Sequence, residues 1–173
     1  MNKQIELDKC ICLIARQDDG ALGILYEELA DPIFRFSLMI LGDAYLAEDA
    51  MQNTFVKIMK NTKLYKRGTS PKSWIFTIVR NVSMDLYKKK LPVVDDSILN
   101  SFPDDRSVEN LADFISIRDA VNKLTIVEKE ILSLYIFAGI KQIEIAKIMQ
   151  ISYIKVRSHY KYAIQKLRKE LGE

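Results

Sequence analysis

The chain has 173 residues, of which 49% are hydrophobic and 28% are charged, and its formal net charge is +3. This composition is typical of one globular domain or two small ones, and it excludes a disordered or membrane-embedded chain. The longest apolar tract, residues 131–140, is about half as long as a membrane span. The N-terminus lacks the long apolar core of a signal peptide, so we expect a cytoplasmic protein.

Proline and glycine are scarce, and no segment alternates between apolar and polar residues as a half-buried strand does. We therefore expect an all-α protein of two small helical domains. The first would span residues 1–91 and the second residues 108–173. Between them, residues 92–107 hold two of the four prolines and four aspartates, a composition typical of a flexible acidic linker.

Two cysteines, Cys10 and Cys12, are the only ones in the sequence. Their spacing is too close for an unstrained disulfide, and no histidine or further cysteine lies nearby to complete a metal site. We expect two reduced cysteines that pack on a helix, with a redox role or intermolecular pairing as the alternative. The sequence predicts no metal, no cofactor and no catalytic residue, since it also lacks a glycine-rich phosphate loop.

Capping residues mark the helices of the first domain. Asp31–Pro32 predicts a helix start, with proline at the first helical position, and Gly42 predicts the end of that helix. Asp43 is the expected N-cap of a second helix that ends near Asn61. Ser70–Pro71 repeats the cap and proline, and so predicts a third helix after a basic loop.

Charge is divided into blocks along the chain. Residues 57–90 contain ten basic side chains and one acidic one, and residues 141–173 contain eight basic and three acidic ones. Residues 1–56 and 91–120 are both net acidic. Two separate basic blocks indicate a polyanion that is held at two places.

The end of the chain has the spacing of a helix-turn-helix. Thr125 and Glu128 form a capping box, and Gly139 predicts the stop of that helix. A short helix follows over residues 142–149, and Ser152 is the expected N-cap of the last helix. Gln150 stands in the turn where glycine is usual, so we expect it at positive φ, at a cost of ~1 kcal/mol.

The last helix directs phosphate-binding and base-reading side chains outward. These are Tyr153, Lys155, Arg157, Ser158, His159 and Lys161. A plain helical hairpin with a solvated basic face is the alternative interpretation of the same residues.

Three stretches together carry a resemblance to a known family. They are DAYLAEDAMQNTFVKIMK (43–60), SPKSWIFTIVRNVSMDLYKKK (70–90) and IEIAKIMQISYIKVRSHYKYAIQKLRKEL (143–171). In this order the chain resembles the extracytoplasmic-function (ECF) sigma factors, subunits of bacterial RNA polymerase that initiate transcription. Lys141, Gln150, His159 and Tyr162 depart from the residues usual in the family, which bears on the −35 sequence that the chain prefers.

The resemblance implies a role for each stretch. Residues of the first would bind core polymerase: Glu48, Asp49, Gln52 and Asn53. Residues of the second would bind the melted −10 strand: Lys72, Arg80, Asn81, Lys88 and Lys89. The resemblance further implies that one helix gives way to the next at Arg80–Asn81, with Asn81 as an N-cap beside a flipped base. The six outward residues of the last helix would bind the −35 duplex.

The implied partners are core RNA polymerase, promoter DNA as −10 single strand and −35 duplex, and an anti-sigma factor, with no small-molecule substrate and no enzymatic activity. Two other functions stay open. One is a helix-turn-helix regulator that binds operators without joining the polymerase. The other is a sigma-like decoy that binds polymerase without promoters.

Overall fold

The computed structural model describes residues 3–90 and 111–172, and every regular element within these ranges is helical, as the sequence predicts. The predicted linker, residues 92–107, and the expected start of the second domain at residue 108 lie outside the described residues. The N-terminal half comprises α1 (Lys3–Ile14), α2 (Asp19–Leu41), α3 (Ala44–Asn61), a short 3₁₀ turn (Thr62–Leu64) and α4 (Pro71–Lys90). The C-terminal half comprises α5 (Leu111–Asn122), α6 (Ile126–Ile136), α7 (Gln142–Met149) and α8 (Tyr153–Leu171).

Most of the predicted caps of the N-terminal half are confirmed. Gly42 ends α2 in the left-handed conformation, at φ +63°, and its N–H donates to the Leu38 carbonyl. The Asp43 carboxylate accepts a hydrogen bond from Leu46 N at 3.0 Å and so begins α3. α4 begins at Pro71, and the Ser70 hydroxyl accepts from Ser73 N at 3.3 Å. Each cap satisfies a terminal backbone group that the helix itself leaves unpaired.

The predicted helix start at Asp31–Pro32 was wrong. α2 begins thirteen residues earlier with Asp18 as its N-cap and continues through the proline. Asp31 instead forms an ion pair with Arg35 one turn later, at 2.8 Å. Ile33 and Phe36 are fully buried just beyond the proline. Their burial outweighs the backbone hydrogen bond that a proline removes from a helix interior.

The predicted helix break at Arg80–Asn81 was also wrong. α4 continues without interruption across both residues, so Asn81 is not an N-cap. The helix continues because its apolar face continues across the pair. Val79 and Val82, on either side of it, are both buried. The two polar residues occupy the positions of the helical turn that point away from this face.

The helix-turn-helix of the C-terminal half forms as predicted. Thr125 and Glu128 make both hydrogen bonds of the capping box. Gly139 reverses the chain after α6 at φ +65°, and Gln150 takes φ +56° in the turn between α7 and α8. The Ser152 hydroxyl caps α8 by accepting from Lys155 N at 3.3 Å.

One apolar core runs through both halves. It includes Phe36 and Phe76 of the N-terminal half and Ile131 and Ile145 of the C-terminal half, all fully buried. Met39 of α2 packs against a smaller cluster that belongs to α6, α8 and the turn before α6. The two halves therefore lie directly against each other, with α2 and α4 on one side of the seam and α6 and α7 on the other.

Cys10 is buried and Cys12 is partly buried on α1, so both pack on a helix as predicted, and neither forms a disulfide. Burial raises the pKa of the Cys10 thiol, and Glu6 adds to that effect. Among the described residues, no helix is both long and apolar enough to cross a membrane, and no group of three or more His, Cys, Asp or Glu side chains converges on a metal site.

Candidate nucleic-acid and protein interfaces

The polar stripe of α3 is exposed along its whole length. Glu48, Asp49, Gln52 and Asn53 all point to solvent, at spacings that place them on one face of the helix. The opposite face, which includes Met51 and Phe55, is buried in the N-terminal half. The structure therefore brings the four predicted polymerase-binding residues together on one accessible surface.

Three apolar side chains on the same exposed face were missed from the sequence. Tyr45 is 79% exposed, and Val56 and Met59 are about half exposed. Tyr45 lies one turn before the polar stripe, and Val56 and Met59 lie within two turns after it. Their positions on the helical wheel could have identified them, since Tyr45 and Val56 are three or four residues from a predicted contact residue and Met59 is seven residues from Gln52. Exposed apolar groups beside acidic ones are typical of a protein-binding surface.

The five predicted −10 residues of α4 are divided between two faces. Asn81, Lys88 and Lys89 are exposed. Asn81 and Lys88 are two turns apart and share one face of the helix. This face presents an amide, which can both donate to and accept from a base edge, next to cations suited to phosphate.

Lys72 and Arg80 point instead to the C-terminal half. Lys72 Nζ donates to the Ala138 carbonyl at 3.1 Å. Arg80 Nε lies 3.0 Å from Glu130 Oε1, and Arg80 Nη2 donates to Glu130 Oε2 at 3.4 Å. The Nε and Oε1 atoms are both buried but are not aligned for a hydrogen bond with each other. The pair joins α4 to α6 across the seam between the halves.

The carboxylate of this pair is strongly buried, with 2% of the Glu130 side chain exposed against 25% of Arg80. Burial raises the pKa of Glu130, and the nearby guanidinium offsets only part of that effect. The desolvation of the carboxylate therefore exceeds the attraction that Arg80 supplies.

The basic loop before α4 is attached to α1 through Asp8. The Asp8 carboxylate accepts hydrogen bonds from the Tyr65 hydroxyl at 2.6 Å and from Gly68 N at 3.2 Å, and it forms an ion pair with Arg67. The hydrogen bond from Tyr65 is the largest of the effects that lower the pKa of Asp8. Tyr65 also packs on the partly buried Trp74, with ring centroids 5.3 Å apart. The loop is thus held against the helix that carries Asn81.

The exposed face of α8 forms a groove with the start of α7. The groove has a volume of about 570 Å³. It is lined by Gln142, Tyr153, Ile154, Arg157, Ser158, Tyr160 and Lys161. Arg157 lies over the ring of Tyr153, 5.9 Å from its centroid, which orders the guanidinium at the mouth of the groove.

Four of the six predicted −35 residues line this groove, and two do not. Lys155 is exposed further round the helix. His159 lines a second groove of about 400 Å³ together with Lys166 and Lys169. The sequence could not divide the six, because the division depends on which arc of α8 the helices α6 and α7 cover.

Ile154 was missed from the sequence although it is 75% exposed and lines the first groove. An exposed β-branched side chain between cations offers an apolar contact such as the methyl group of thymine provides. The signal was its position next to Tyr153 and two residues before the buried Val156.

Two family models match parts of the chain. The family model of Sigma-70 region 2 matches residues 25–91, and that of Sigma-70, region 4 matches residues 120–169. The first match runs from α2 to the end of α4, and the second from the end of α5 through α8.

Curated relatives match over most of their length. The ECF RNA polymerase sigma factor SigL of Mycobacterium tuberculosis is 28% identical over 167 residues, which cover 92% of this chain and 93% of that protein. The ECF RNA polymerase sigma factor SigM of Bacillus subtilis is 28% identical over 151 residues, which cover 83% of this chain and 91% of that protein.

Solved structures share the fold. CnrH in complex with the cytosolic domain of CnrY superposes with a TM-score of 0.75 at 19% identity, and the match covers 96% of this chain and 97% of that one. The sigma factor RpoE in complex with the anti-sigma factor NepR from Bartonella quintana gives a TM-score of 0.71 at 23% identity, over 86% and 96% of the two chains.

Proposed function

The chain belongs to the extracytoplasmic-function sigma factors, alternative sigma factors that direct core RNA polymerase to specific promoters, and we propose that its two halves divide this work. Residues 1–91 would bind polymerase and the −10 element, residues 108–173 would bind the −35 element, and residues 92–107 would join them. The operator-binding regulator is not favoured. The match to Sigma-70 region 2 covers the N-terminal half, and a protein that binds operators without joining the polymerase does not need that region.

We propose that α3 is the polymerase-binding helix. Its support is the exposed stripe of Glu48, Asp49, Gln52 and Asn53 beside the exposed Tyr45. A charged and apolar surface of this kind combines electrostatic steering with an aromatic anchor for a protein partner.

For the −10 element, the exposed Asn81 would hold a flipped base, and Lys88 and Lys89 would bind the backbone of the strand. Because Asn81 lies within a continuous helix, its side-chain amide is the group that meets the base. Lys72 and Arg80 would join this surface only when their contacts with the C-terminal half are released.

For the −35 element, α8 would enter the major groove of the duplex. The groove lined by Arg157, Ser158 and Lys161 carries the proposal, because it places base-reading and phosphate-binding groups on one exposed face of a helix-turn-helix. Lys155 and His159 would contact the flanking phosphates from the other side of the helix.

An anti-sigma factor is a further proposed partner, since the solved RpoE structure contains the anti-sigma factor NepR. The protein would act in the cytoplasm, where the chromosome lies. It would perform no chemistry of its own, because its contribution is to position polymerase and to hold melted DNA.

Run-off transcription with sigma-free core polymerase and fragmented genomic DNA, at low salt, tests the proposal. Discrete new transcripts are expected with the wild-type protein. Asn81→Ala should reduce them about tenfold, since one lost base contact is worth about 1–3 kcal/mol. Asn122→Ala, an exposed asparagine on α5, is the matched control and should leave them unchanged. An Asn81→Ala protein as active as this control would contradict the −10 role.

A further inference from the structure

An isoleucine stands among the polar side chains of the first groove on α8. Ile154 is 75% exposed and lines this groove together with Arg157, Ser158 and Lys161. The four residues follow the spacing i, i+3, i+4 and i+7, so they form a single stripe along the helix. A stripe that bound only phosphates would need no hydrocarbon at this position, because phosphate is recognised by cations and hydrogen-bond donors.

Ile154 lies in the first turn of α8, two residues after the N-cap Ser152. In a helix-turn-helix, the N-terminal residues of the second helix are those that contact base edges in the major groove. Isoleucine in a helix has one strongly preferred χ1 rotamer, so its apolar surface is held in one orientation before DNA binds. The side chain is therefore placed for bases, and ordering it on DNA costs little conformational entropy.

The two aromatic rings of the groove already have partners within the protein. Arg157 lies over the ring of Tyr153, 5.9 Å from its centroid. The ring of Tyr160 packs edge-on against that of Tyr135, with centroids 5.0 Å apart. Among the residues that line the groove, Ile154 is therefore the one whose hydrocarbon surface is open to a ligand.

We propose that Ile154 is a specificity-determining residue of the −35 contact and that it recognises the C5-methyl group of a thymine. The inference rests on the proposed role of α8. In the major groove, this methyl group is the apolar feature of the base edges, and it is present only at A·T pairs. Arg157 and Lys161 fit the acceptors of guanine, and the Ser158 hydroxyl suits several bases. Ile154 would thus select A·T pairs, which the cations of the groove do not.

Deoxyuridine provides the first test, because it differs from thymidine only in lacking the methyl group. The probe is a promoter fragment recovered by the run-off assay and bound by the holoenzyme of this chain and core polymerase. Each thymine of the −35 element, on either strand, is replaced in turn by deoxyuridine. At the contacted position the replacement should weaken binding about fourfold, which is the contribution of one buried methyl group. Replacement of thymines between the two promoter elements should leave the affinity unchanged.

The variant Ile154→Ala tests which side chain meets the methyl group. It should bind the thymine and deoxyuridine fragments equally, so a double-mutant cycle should give a coupling of about fourfold between side chain and methyl group. Ile154→Val keeps a branched apolar side chain and should retain most of the preference. Ile117→Ala makes the same change at a half-exposed isoleucine of α5, and as the matched control it should keep the full preference for thymine.

Salt dependence separates Ile154 from the cations of the same stripe. The slope of log affinity against log salt concentration counts the phosphates that a protein neutralises. Ile154→Ala should leave this slope unchanged. Lys161→Ala should reduce its magnitude by about 0.9 and weaken the thymine and deoxyuridine fragments alike.

Equal binding of the thymine and deoxyuridine fragments by the wild-type holoenzyme would overturn the assignment, and this comparison needs no variant. An Ile154→Ala protein that keeps the full difference would overturn it as well, as would promoters whose −35 elements hold only G·C pairs. A run-off assay without transcripts would overturn the proposed function and this assignment together. Transcripts combined with equal binding would overturn this assignment alone.

Discussion

Helix α6 makes two polar contacts on opposite sides, and they differ in quality. Inside its own half, both carboxylate oxygens of Glu128 lie 2.8 Å from Lys166 Nζ on α8, and Oε2 also accepts from Thr125 N at 2.8 Å. Across the seam, Glu130 meets Arg80 with one long hydrogen bond and one misaligned close approach. Both carboxylates are almost fully buried.

The pKa values of the two carboxylates shift in opposite directions. Burial raises the pKa of Glu128, but the hydrogen bonds from Lys166 and Thr125 outweigh it and leave that pKa below its usual value. For Glu130 burial prevails and the pKa is raised. A buried carboxylate with a full set of donors recovers the cost of its desolvation, whereas one with an incomplete set recovers only part of it.

The largest expected effect comes from Glu128→Ala. This change removes the capping box of α6 and the tie between α6 and α8 together. We expect the free energy of unfolding to fall by about 2–3 kcal/mol, which urea denaturation at pH 7 would measure. Lys166 is 42% exposed, so it regains water and the loss stays below that of a fully buried pair.

Glu170→Ala is the control for that change, because Glu170 pairs with the exposed Lys123 in the same half. An exposed pair contributes about 0–1 kcal/mol, so the control should lose little. If the Glu128→Ala protein is no less stable than the control, the Glu128 contact does not stabilise the fold, and the proposed difference between the polar contacts on the two sides of α6 is wrong.

Asp8→Asn extends the comparison to a contact within the N-terminal half. Its carboxylate accepts from Tyr65 and Gly68 and holds the basic loop to α1. We expect a loss of about 1–2 kcal/mol at pH 7. The lowered pKa of Asp8 means that its contribution is present above its usual pKa of about 3.9 and is lost as the pH falls through the lower pKa of the folded state.

Acid denaturation of the wild-type protein and of Asp8→Asn measures this contribution. The difference in stability between the two should be constant near neutral pH and should shrink below about pH 4. A difference that does not change with pH would mean that the Asp8 charge has no part in holding the loop.

Local signals predicted the C-terminal half well. The capping box at Thr125 and Glu128, the turn at Gln150 and the cap at Ser152 all formed where the sequence placed them. Each depends only on residues within one turn of the helix, so no knowledge of the tertiary fold is needed. Even the strained backbone at Gln150 was predicted, because Gln150 stands in the turn where glycine is usual.

Signals that depend on tertiary packing failed. Asp31–Pro32 has the composition of a helix start, and Arg80–Asn81 was assigned to a helix junction, yet both lie inside helices whose apolar faces continue across them. Whether a proline or a polar pair ends a helix depends on the burial of the residues beyond it. That burial is decided by helices far away in the chain.

The candidate sites show the same division. The polar stripe of α3 could be identified in full, because all four residues lie on the one face that nothing covers. The basic residues of α4 could not be divided into exposed and engaged, because the partners of Lys72 and Arg80 are 66 and 50 residues further along the chain. Net charge predicts a polyanion-binding helix, but not which of its cations are free.

The smallest expected effect, that of Glu130→Gln, tests the other side of α6. The amide keeps the size of the carboxylate and removes the buried charge. Arg80 retains some contact with water, so it is not left as a fully buried cation. We expect the free energy of unfolding at pH 7 to stay within about 1 kcal/mol of the wild-type value, whereas Glu128→Ala loses more.

The raised pKa of Glu130 also predicts how the difference in stability between the wild-type protein and Glu130→Gln changes with pH. A carboxylate whose pKa is raised in the folded state contributes a proton-linked stabilisation that is complete below its usual pKa of about 4.3 and is lost as the pH rises through the raised value. Relative to Glu130→Gln, the wild-type protein should therefore become more stable as the pH falls from 7 towards 5. Urea denaturation at both pH values measures the change. A loss of more than about 2 kcal/mol in Glu130→Gln at pH 7 would contradict this prediction, because it would mean that Arg80 is left as an uncompensated cation in the seam.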